Sequence, residues 1–226
     1  MRMDALAWYP ALDSKLKAHL ALEPFPRDGA HDLAHILRVA RLADRIAQVE
    51  GADRDVAVAG ALLHDLVYRP KNHPESPRTA ELSAALAAAW CAEIPALAPK
   101  AEAIVHAIAA HSWSGTQDAE TLEARVVQDA DRLEAIGAIG IARVFATGAS
   151  FRSQLWHPED PWAEGRDLDD KAFTLDHFFK KLLKLTDRMT TAEGRRLAQA
   201  RQAVMQGYLD ALRAELEAGD PPADLH

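Results

Sequence analysis

The chain contains 226 residues, of which 49% are hydrophobic and 27% are charged, a balance typical of soluble globular proteins and unlike that of disordered chains. Its formal net charge of −8 argues against a protein that binds long nucleic acids, because such proteins present a strongly basic face. No segment resembles a signal peptide or the roughly 20 apolar residues of a membrane span, and a single cysteine excludes an intrachain disulfide framework, so we expect a cytoplasmic protein.

Apolar residues at helical spacing, separated by proline and glycine, predict a chain of helices with almost no strands. The predicted helices of the first part of the chain cover about residues 4–22, 32–50, 53–67, 76–91, 97–111 and 120–136. Ser76 and Pro77 are typical of a helix start, and Gly51 is typical of the residue just past a helix end. The segment AIGAIGIARVFATG predicts a further short helix whose glycines allow close packing.

The region from about residue 147 to 172 is rich in glycine, proline, serine and aspartate, and it predicts a long connection. Such a connection is either a binding loop or a mobile surface insertion, and the sequence does not choose between them. Two helices are predicted to close the chain, at about 173–189 and 191–217. Thr190 and Glu193 have the spacing of a capping box at the start of the last helix. We expect the tail GDPPADLH to fray.

One histidine lies on an otherwise apolar stripe of the second predicted helix. The stripe consists of His35, Val39, Leu42, Ile46 and Val49, which recur every three or four residues. We therefore expect His35 to point towards the core. A buried neutral histidine with a hydrogen-bond partner and a metal ligand both fit this position.

The adjacent His64 and Asp65 lie within the apolar run of the third predicted helix. An aspartate in such a run is costly unless it is paired with a cation or hydrogen-bonded. Neighbouring side chains on a helix are about 100° apart, so this nitrogen and this carboxylate can reach one ion near the helix end. The alternative is a histidine that is oriented by its aspartate without a metal.

Two aspartates, Asp129 and Asp131, flank the apolar stripe of the sixth predicted helix, one on each side. The stripe consists of Val126, Ala130 and Leu133. Both aspartates could be solvated or paired with Arg132 and Arg125, and either could turn inwards. This segment alone does not choose between them.

Taken in chain order, the histidine, the His-Asp pair and the later aspartate resemble the H…HD…D signature of the HD-domain family of metal-dependent phosphohydrolases. The segments that resemble one bacterial branch of small HD proteins are HDLAHILRV, ALLHDL, AAHSWSG, VVQDADRLEAIGAIGIARVF and DHFFKKLLKLTDRM. They follow the family's order from about residue 28 to about residue 215. The resemblance implies an all-α single domain over 1–226, with an HD helical bundle at about 28–146 and a C-terminal helical extension at about 173–217.

The resemblance assigns the metal ligands as His35, His64, Asp65 and Asp131. Asp131 is favoured over Asp129 because it precedes an Arg-Leu pair, as the family's last ligand does. Two imidazoles and two carboxylates suit one divalent ion, such as Mn²⁺, Mg²⁺, Fe²⁺, Ni²⁺ or Zn²⁺. An ion with open positions activates water and polarises a phosphoryl group, and we expect Asp65 to help orient the attacking water.

Phosphate hydrolysis also needs positive charge and a proton donor. We expect Arg38, one turn after His35, and Lys181, which matches a lysine of the family segment, to contact phosphate. His31 could line the entrance, and His111 could contact phosphate, act as a general acid or support the site. The alternatives are solvated surface charges and, for His111, a histidine stabilised by a helix C-terminus.

Weaker candidates lie in the surrounding segments. Lys71 and Arg78 follow the His-Asp pair and could contact phosphate, although surface cations are commoner. Trp113, Trp156 and Trp162 could stack on a nucleobase, although packing in the core is commoner.

These features predict a phosphohydrolase for nucleotides or other small phosphorylated metabolites, with release of pyrophosphate from nucleoside triphosphates as one version. A metal- or nucleotide-binding sensor module without turnover is the main alternative. A diiron oxygenase is less favoured because no second histidine set is apparent, and an RNA- or cyclic-nucleotide phosphodiesterase would need a local basic groove. We expect no membrane partner and no long nucleic acid, and the oligomeric state cannot be predicted from the sequence.

Overall fold

The computed structural model describes residues 3–25, 27, 31–70, 73–112 and 117–218. Lys71, Trp113 and the tail from residue 219 onwards lie outside the described residues. Within those ranges the chain is helical without a strand, and one isolated bridge joins Gln154 to Phe173. The predicted all-α fold is therefore confirmed.

Nine α-helices and several single 3₁₀ turns make up the described chain. The α-helices are α1 (Tyr9–Leu20), α2 (Leu33–Glu50), α3 (Arg54–Leu63), α4 (Thr79–Ala92), α5 (Ala101–Ala109), α6 (Leu122–Glu134), α7 (Gly137–Ser150), α8 (Asp176–Lys180) and α9 (Ala192–Ala218). The 3₁₀ turns are Met3–Ala5, Ser76–Arg78, Ala98–Lys100, Leu182–Lys184 and Thr186–Arg188. No single described helix has the length and hydropathy of a membrane span, and α6 and α7 meet that criterion only when counted as one bent pair.

The chain forms two compact units. The first contains Met1–Glu134 and Met189–Gly194, and the second contains Ala135–Arg188 and Arg195–His226. In the first unit α3 is central, because every residue from Val56 to Leu63 is buried and the helix packs against α2, α5 and α6.

Helix α2 begins and ends as its sequence predicts. Asp32 caps its start by accepting a hydrogen bond from the His35 backbone N–H at 2.8 Å, and Gly51 ends it with a φ of 75°. The predicted apolar stripe is partly wrong, because Val49 is 63% exposed and Leu42 is only half-buried. The buried face is centred on the alanines of the helix and includes Ile46, so Leu42 lies at its edge and Val49 lies outside it.

Two predicted helices, at 53–67 and at 173–189, differ from the structure. Helix α3 ends at Leu63, so the His64–Asp65 pair lies in the following turn. The predicted helix at 173–189 is broken, because the backbone at Lys181 has a φ of −133° and the chain continues in 3₁₀ turns. Such turns bury every third or fourth residue, as an α-helix does, so the apolar pattern cannot reveal the break.

The predicted capping box at the start of α9 is wrong by one residue. Thr191 is the cap, since its Oγ1 accepts a hydrogen bond from the Gly194 N–H at 3.0 Å. The third helical residue is therefore a glycine, which has no side chain to complete a box. The hydroxyl of Thr190 donates instead to Asp129.

The long connection belongs to the second unit and begins at Phe151, after the end of α7. Arg166 holds it by donating two hydrogen bonds, at 2.6 and 2.8 Å, to the fully buried carboxylate of Asp176. The Asp169 N–H donates to the same carboxylate at 2.7 Å. The Arg213 guanidinium also lies over the Trp162 ring, 4.3 Å from its centre.

Replacing Asp176 with asparagine should destabilise this unit by about 2–3 kcal/mol at neutral pH, because the bonds to a charged acceptor are weakened. Burial raises the pKa of the Asp176 carboxyl, but the hydrogen bonds from Arg166 and Asp169 outweigh burial and hold the pKa below its usual 3.8. A depressed folded pKa stabilises at neutral pH, and the stabilisation is lost as the pH falls through that pKa. Urea unfolding, followed by tryptophan fluorescence at a series of pH values, measures the free energy of unfolding. This free energy should fall more steeply with decreasing pH in the wild type than in Asp176→Asn. An equal pH dependence in the two proteins would contradict this prediction.

Candidate metal centre

Four predicted ligands from three segments of the first unit converge on one small volume. His35 lies in the first turn of α2, His64 and Asp65 follow α3, and Asp131 lies in α6. His35 Nε2 is 3.5 Å from Asp131 Oδ1 and 3.9 Å from Asp65 Oδ2. His64 Nε2 is 3.5 Å from Asp65 Oδ2 and 3.8 Å from Asp131 Oδ1.

These separations fit ligands of a single divalent ion. Atoms that each lie about 2.1 Å from one ion can be at most about 4.2 Å apart, and these four imidazole–carboxylate distances are shorter. His35, His64 and Asp131 form one group whose ligand atoms are close enough to hold a metal. His64 Nε2 is buried without a hydrogen-bond partner, a costly state that a metal would relieve. Both histidines are buried, whereas the side chains of Asp65 and Asp131 are 21% and 30% exposed. The centre is therefore closed on the imidazole side and open on the carboxylate side.

Backbone carbonyls fix the tautomers of two histidines. His64 Nδ1 lies 2.7 Å from the Ala61 carbonyl oxygen, and His111 Nδ1 lies 2.5 Å from the Ile108 carbonyl oxygen. A carbonyl only accepts, so each Nδ1 carries the proton and each neutral ring keeps its lone pair on Nε2. This arrangement is the usual one for histidines that bind metals.

His111 lies beside the four ligands, as predicted. It is buried, and its ring centre is 4.9 Å from that of His64. Together with His64 and Asp65 it forms a second group whose ligand atoms are close enough to hold a metal. The two groups share His64, so they adjoin and form one centre.

Glu134 is a site residue that the sequence analysis missed. Its carboxylate is buried, and its Oε2 is 3.6 Å from His35 Nδ1. A carboxylate behind a metal-binding histidine orients the ring and makes its other nitrogen a stronger ligand. Glu134 follows Asp131 by three residues and therefore shares its helix face, which was the available signal.

Arg38 lies near His35, as predicted, but its Nε donates to Glu134 Oε2 at 2.6 Å. Burial raises the pKa of the Glu134 carboxyl, yet the hydrogen bonds from His35 and Arg38 outweigh burial and lower it. Arg38 thus helps keep Glu134 ionised behind His35. A direct contact between Arg38 and phosphate remains a prediction.

The two exposed carboxylates of the centre are held in the ionised form. Burial raises the pKa of Asp65 and of Asp131, but the surrounding histidines, led by His64, have the larger combined effect and lower both values. Burial lowers the pKa of His111, and the neighbouring His64 lowers it further. The site therefore presents two anionic oxygens to a cation.

Asp129 has a different role from Asp131, although helical periodicity alone did not separate the two aspartates. Its carboxylate is fully buried and accepts hydrogen bonds from the backbone N–H and the hydroxyl of both Thr190 and Thr191, at 2.7–3.1 Å. It therefore ties the segment before α9 to α6. Asp131, on the neighbouring side of the helix, faces the histidines.

The other predicted contacts lie outside the cluster of four. His31 is half-buried, with its ring centre 6.0 Å from that of His35 and 5.9 Å from that of Tyr68. Arg78 is ion-paired with Glu81. Lys181, Trp156 and Trp162 belong to the second unit.

Replacing Glu134 with glutamine should weaken metal binding about 10–100-fold while the protein stays folded, because the amide cannot support His35 as an anion does. Calorimetric titration with Mn²⁺ would measure the change. Glu123→Gln, on the first turn of the same helix, is the matched control and should bind like the wild type. Equal affinities for Glu134→Gln and the wild type would show that Glu134 does not support the centre.

Comparison with known proteins gives consistent matches. The HD-domain family model matches residues 32–136, a range that contains all four predicted ligands and Glu134. The protein YpgQ of Bacillus subtilis is 32% identical over 191 residues, which cover 82% of this chain and 84% of YpgQ.

Solved structures extend the similarity to nearly the whole chain. The crystal structure of YpgQ in complex with ADP has a TM-score of 0.73 at 31% identity, covering 94% of this chain and 97% of that chain. An HD-superfamily hydrolase from Bacillus thuringiensis has a TM-score of 0.69 at 28% identity, covering 92% and 96%. With its four predicted ligands close together in space, this chain belongs to the HD-domain family, in its branch of small bacterial proteins.

Proposed function

We propose that the protein is a divalent-metal-dependent phosphohydrolase that acts on nucleotides or other small phosphorylated metabolites. The observation that carries the proposal is that each of two partly exposed carboxylates lies 3.5–3.9 Å from two buried imidazole nitrogens. Two similarities support it, an HD-superfamily hydrolase and a YpgQ structure that contains ADP.

The residues of the centre divide the work of such a reaction. His35 and His64 would hold the ion through Nε2, and Asp65 and Asp131 would balance its charge. When bound, the ion lowers the pKa of a water molecule and polarises a phosphoryl oxygen. The partly exposed carboxylate of Asp65 would also accept a hydrogen bond from the attacking water and thereby orient it.

We assign His111 to proton handling at the edge of the centre. Its Nδ1 proton is held by the Ile108 carbonyl oxygen, so Nε2 is the nitrogen available to the reaction. Nε2 can accept a hydrogen bond from water or, when protonated, donate to a phosphate or leaving-group oxygen. His31 and Arg38 are assigned to the substrate side of the same unit.

Lys181 is proposed as a phosphate contact on the strength of the family resemblance. Lys181→Ala should raise KM about tenfold with little change in kcat if the lysine binds phosphate equally in the ground and transition states. Steady-state kinetics on the best substrate would measure this. The neighbouring Lys180, whose Nζ lies 2.6 Å from Asp170 Oδ1, supplies the control, and Lys180→Ala should leave KM unchanged. Equal kinetics for the two variants would remove Lys181 from the substrate contacts.

The direct test measures phosphate and pyrophosphate separately after incubation with a panel of nucleoside mono-, di- and triphosphates. Each reaction contains Mn²⁺, Mg²⁺, Fe²⁺, Ni²⁺ or Zn²⁺, with a chelator control. We expect product release that depends on the metal. Pyrophosphate released from a triphosphate would identify attack of water on the α-phosphorus. Metal and nucleotide binding without any release would contradict the proposal and favour a sensor module.

A further inference from the structure

Arg27 is a nearly buried cation that the proposed reaction does not use. Its side chain is 9% exposed, and that of its partner Glu23 is 7% exposed. The Arg27 Nε donates to Glu23 Oε2 at 2.5 Å, and its guanidinium lies over the Tyr68 ring, 5.4 Å from the centre. An arginine and a glutamate removed from water to this degree need strong compensating contacts.

The remaining donors of Arg27 bind backbone carbonyl oxygens in two segments, one that contains the proposed ligand Asp65 and one that precedes the proposed ligand His35. Nη2 donates to the carbonyl oxygen of Asp65 at 2.6 Å and, more weakly, to that of Leu66 at 3.4 Å. Nη1 donates to the carbonyl oxygen of His31 at 3.1 Å, four residues before His35. One guanidinium therefore joins the chain that enters α2 to the chain that leaves α3.

The backbone after α3 needs such support. Helix α3 ends at Leu63, so the carbonyl groups of Asp65 and Leu66 have left the helical hydrogen-bonding pattern. Glu23 adds a third tie, because its Oε1 accepts a hydrogen bond from the Tyr68 N–H at 3.0 Å. Within the described chain no donor binds the Asp65 carboxylate itself, so the carboxylate is placed by its own backbone, whose carbonyl oxygen Arg27 binds.

We propose that Arg27, aligned by Glu23, is a positioning residue for the metal centre. It sets the placement of Asp65 and of the start of α2, so that the Asp65 carboxylate and the His35 imidazole meet at one ion. The proposal builds on the metal site of the proposed function and adds a role for two residues outside the ligand set. It predicts that loss of Arg27 weakens metal binding by more than its effect on folding explains.

A matched pair at the other end of α3 separates positioning from general stability. Arg54 Nε donates to Asp44 Oδ1 at 2.7 Å, and this partly buried pair also joins α2 to α3. Arg54 begins α3, whereas Asp65 follows its end. Arg54→Ala therefore removes a comparable pair without touching the backbone of a ligand.

The experiment is calorimetric titration of Mn²⁺ into the wild type, Arg27→Ala, Arg27→Lys and Arg54→Ala, with Tm measured for each metal-free protein. Arg27→Ala should raise the Mn²⁺ Kd about 10–100-fold. Arg27→Lys should restore part of the affinity, because lysine keeps the charge but lacks the planar fork. Arg54→Ala should lower Tm and keep the wild-type Kd.

Two results would overturn the proposal. One is a wild-type Mn²⁺ Kd in Arg27→Ala, and the other is an equal loss of affinity in Arg54→Ala. If Arg27→Ala does not fold, Glu23→Gln replaces it, since it keeps Arg27 but removes its charged partner. A raised Kd in Glu23→Gln supports the proposal, and an unchanged Kd contradicts it. Because binding is measured without substrate, the result stands apart from any failure of hydrolysis.

Discussion

Asp65→Ala should lose hydrolysis by about 10³-fold or more, the upper range for removing one electrostatic contact to a transition state. The reason is that Asp65 has two roles, as a ligand beside both histidines and as an acceptor for the attacking water. The variant should also retain less metal after dialysis than the wild type. Product release with Mn²⁺ and elemental analysis of the dialysed protein would measure the two effects.

The control for Asp65 is Asp118, an exposed aspartate of the same unit. Asp118→Ala should keep both metal and activity. It therefore controls for the general effect on the protein of losing one negative charge. Full activity in Asp65→Ala would exclude Asp65 from the reaction. Loss of activity with unchanged metal content would show that Asp65 is not needed to hold the metal and acts only by orienting the attacking water.

Asp129→Ala should lower the free energy of unfolding by about 3–5 kcal/mol, the cost of breaking a buried charged network by removing one partner. Thr191 would then present buried donors, and Thr190 partly buried donors, without their acceptor. Gly194 also fits tightly here, since a Cβ built on it would lie 2.4 Å from Asp129 Oδ2. Urea unfolding of the metal-free protein would measure the loss.

Thr191→Val tests the same network more gently. It removes one hydroxyl donor and the α9 cap, and it should cost about 1–2 kcal/mol. Asp118→Ala again serves as the control, with an expected change within about 0.5 kcal/mol. A loss below about 1 kcal/mol in Asp129→Ala would show that the buried carboxylate is not an anchor.

The cluster of two histidines and two aspartates could be predicted because its members carry local signals. His35 lies on an apolar face, and the His64–Asp65 pair lies in an apolar run, so each departs from the usual pattern of its helix. Their order then resembled a known family. The choice of Asp131 over Asp129 rested on that resemblance alone, because two aspartates on either side of a buried stripe are equivalent by periodicity.

Glu134, which had only its spacing from Asp131 as a signal, and Arg27, which had none, were missed for a shared physical reason. Each acts through partners that are distant in sequence, Glu134 through His35 and Arg38, and Arg27 through the backbone of Asp65. A charged residue in a helix or loop is usually solvated, so its type alone does not indicate burial. The break at Lys181 was hidden for another reason, since a 3₁₀ turn preserves the apolar spacing.

The central claim is that one divalent ion is held by His35, His64, Asp65 and Asp131. The most direct test is a crystal of the wild-type protein soaked with Mn²⁺ and measured at a wavelength where manganese scatters anomalously. We predict a strong anomalous peak about 2.0–2.3 Å from both histidine Nε2 atoms and from a carboxylate oxygen of each aspartate. The absence of a peak at these four side chains, or a peak elsewhere in the molecule, would contradict the account.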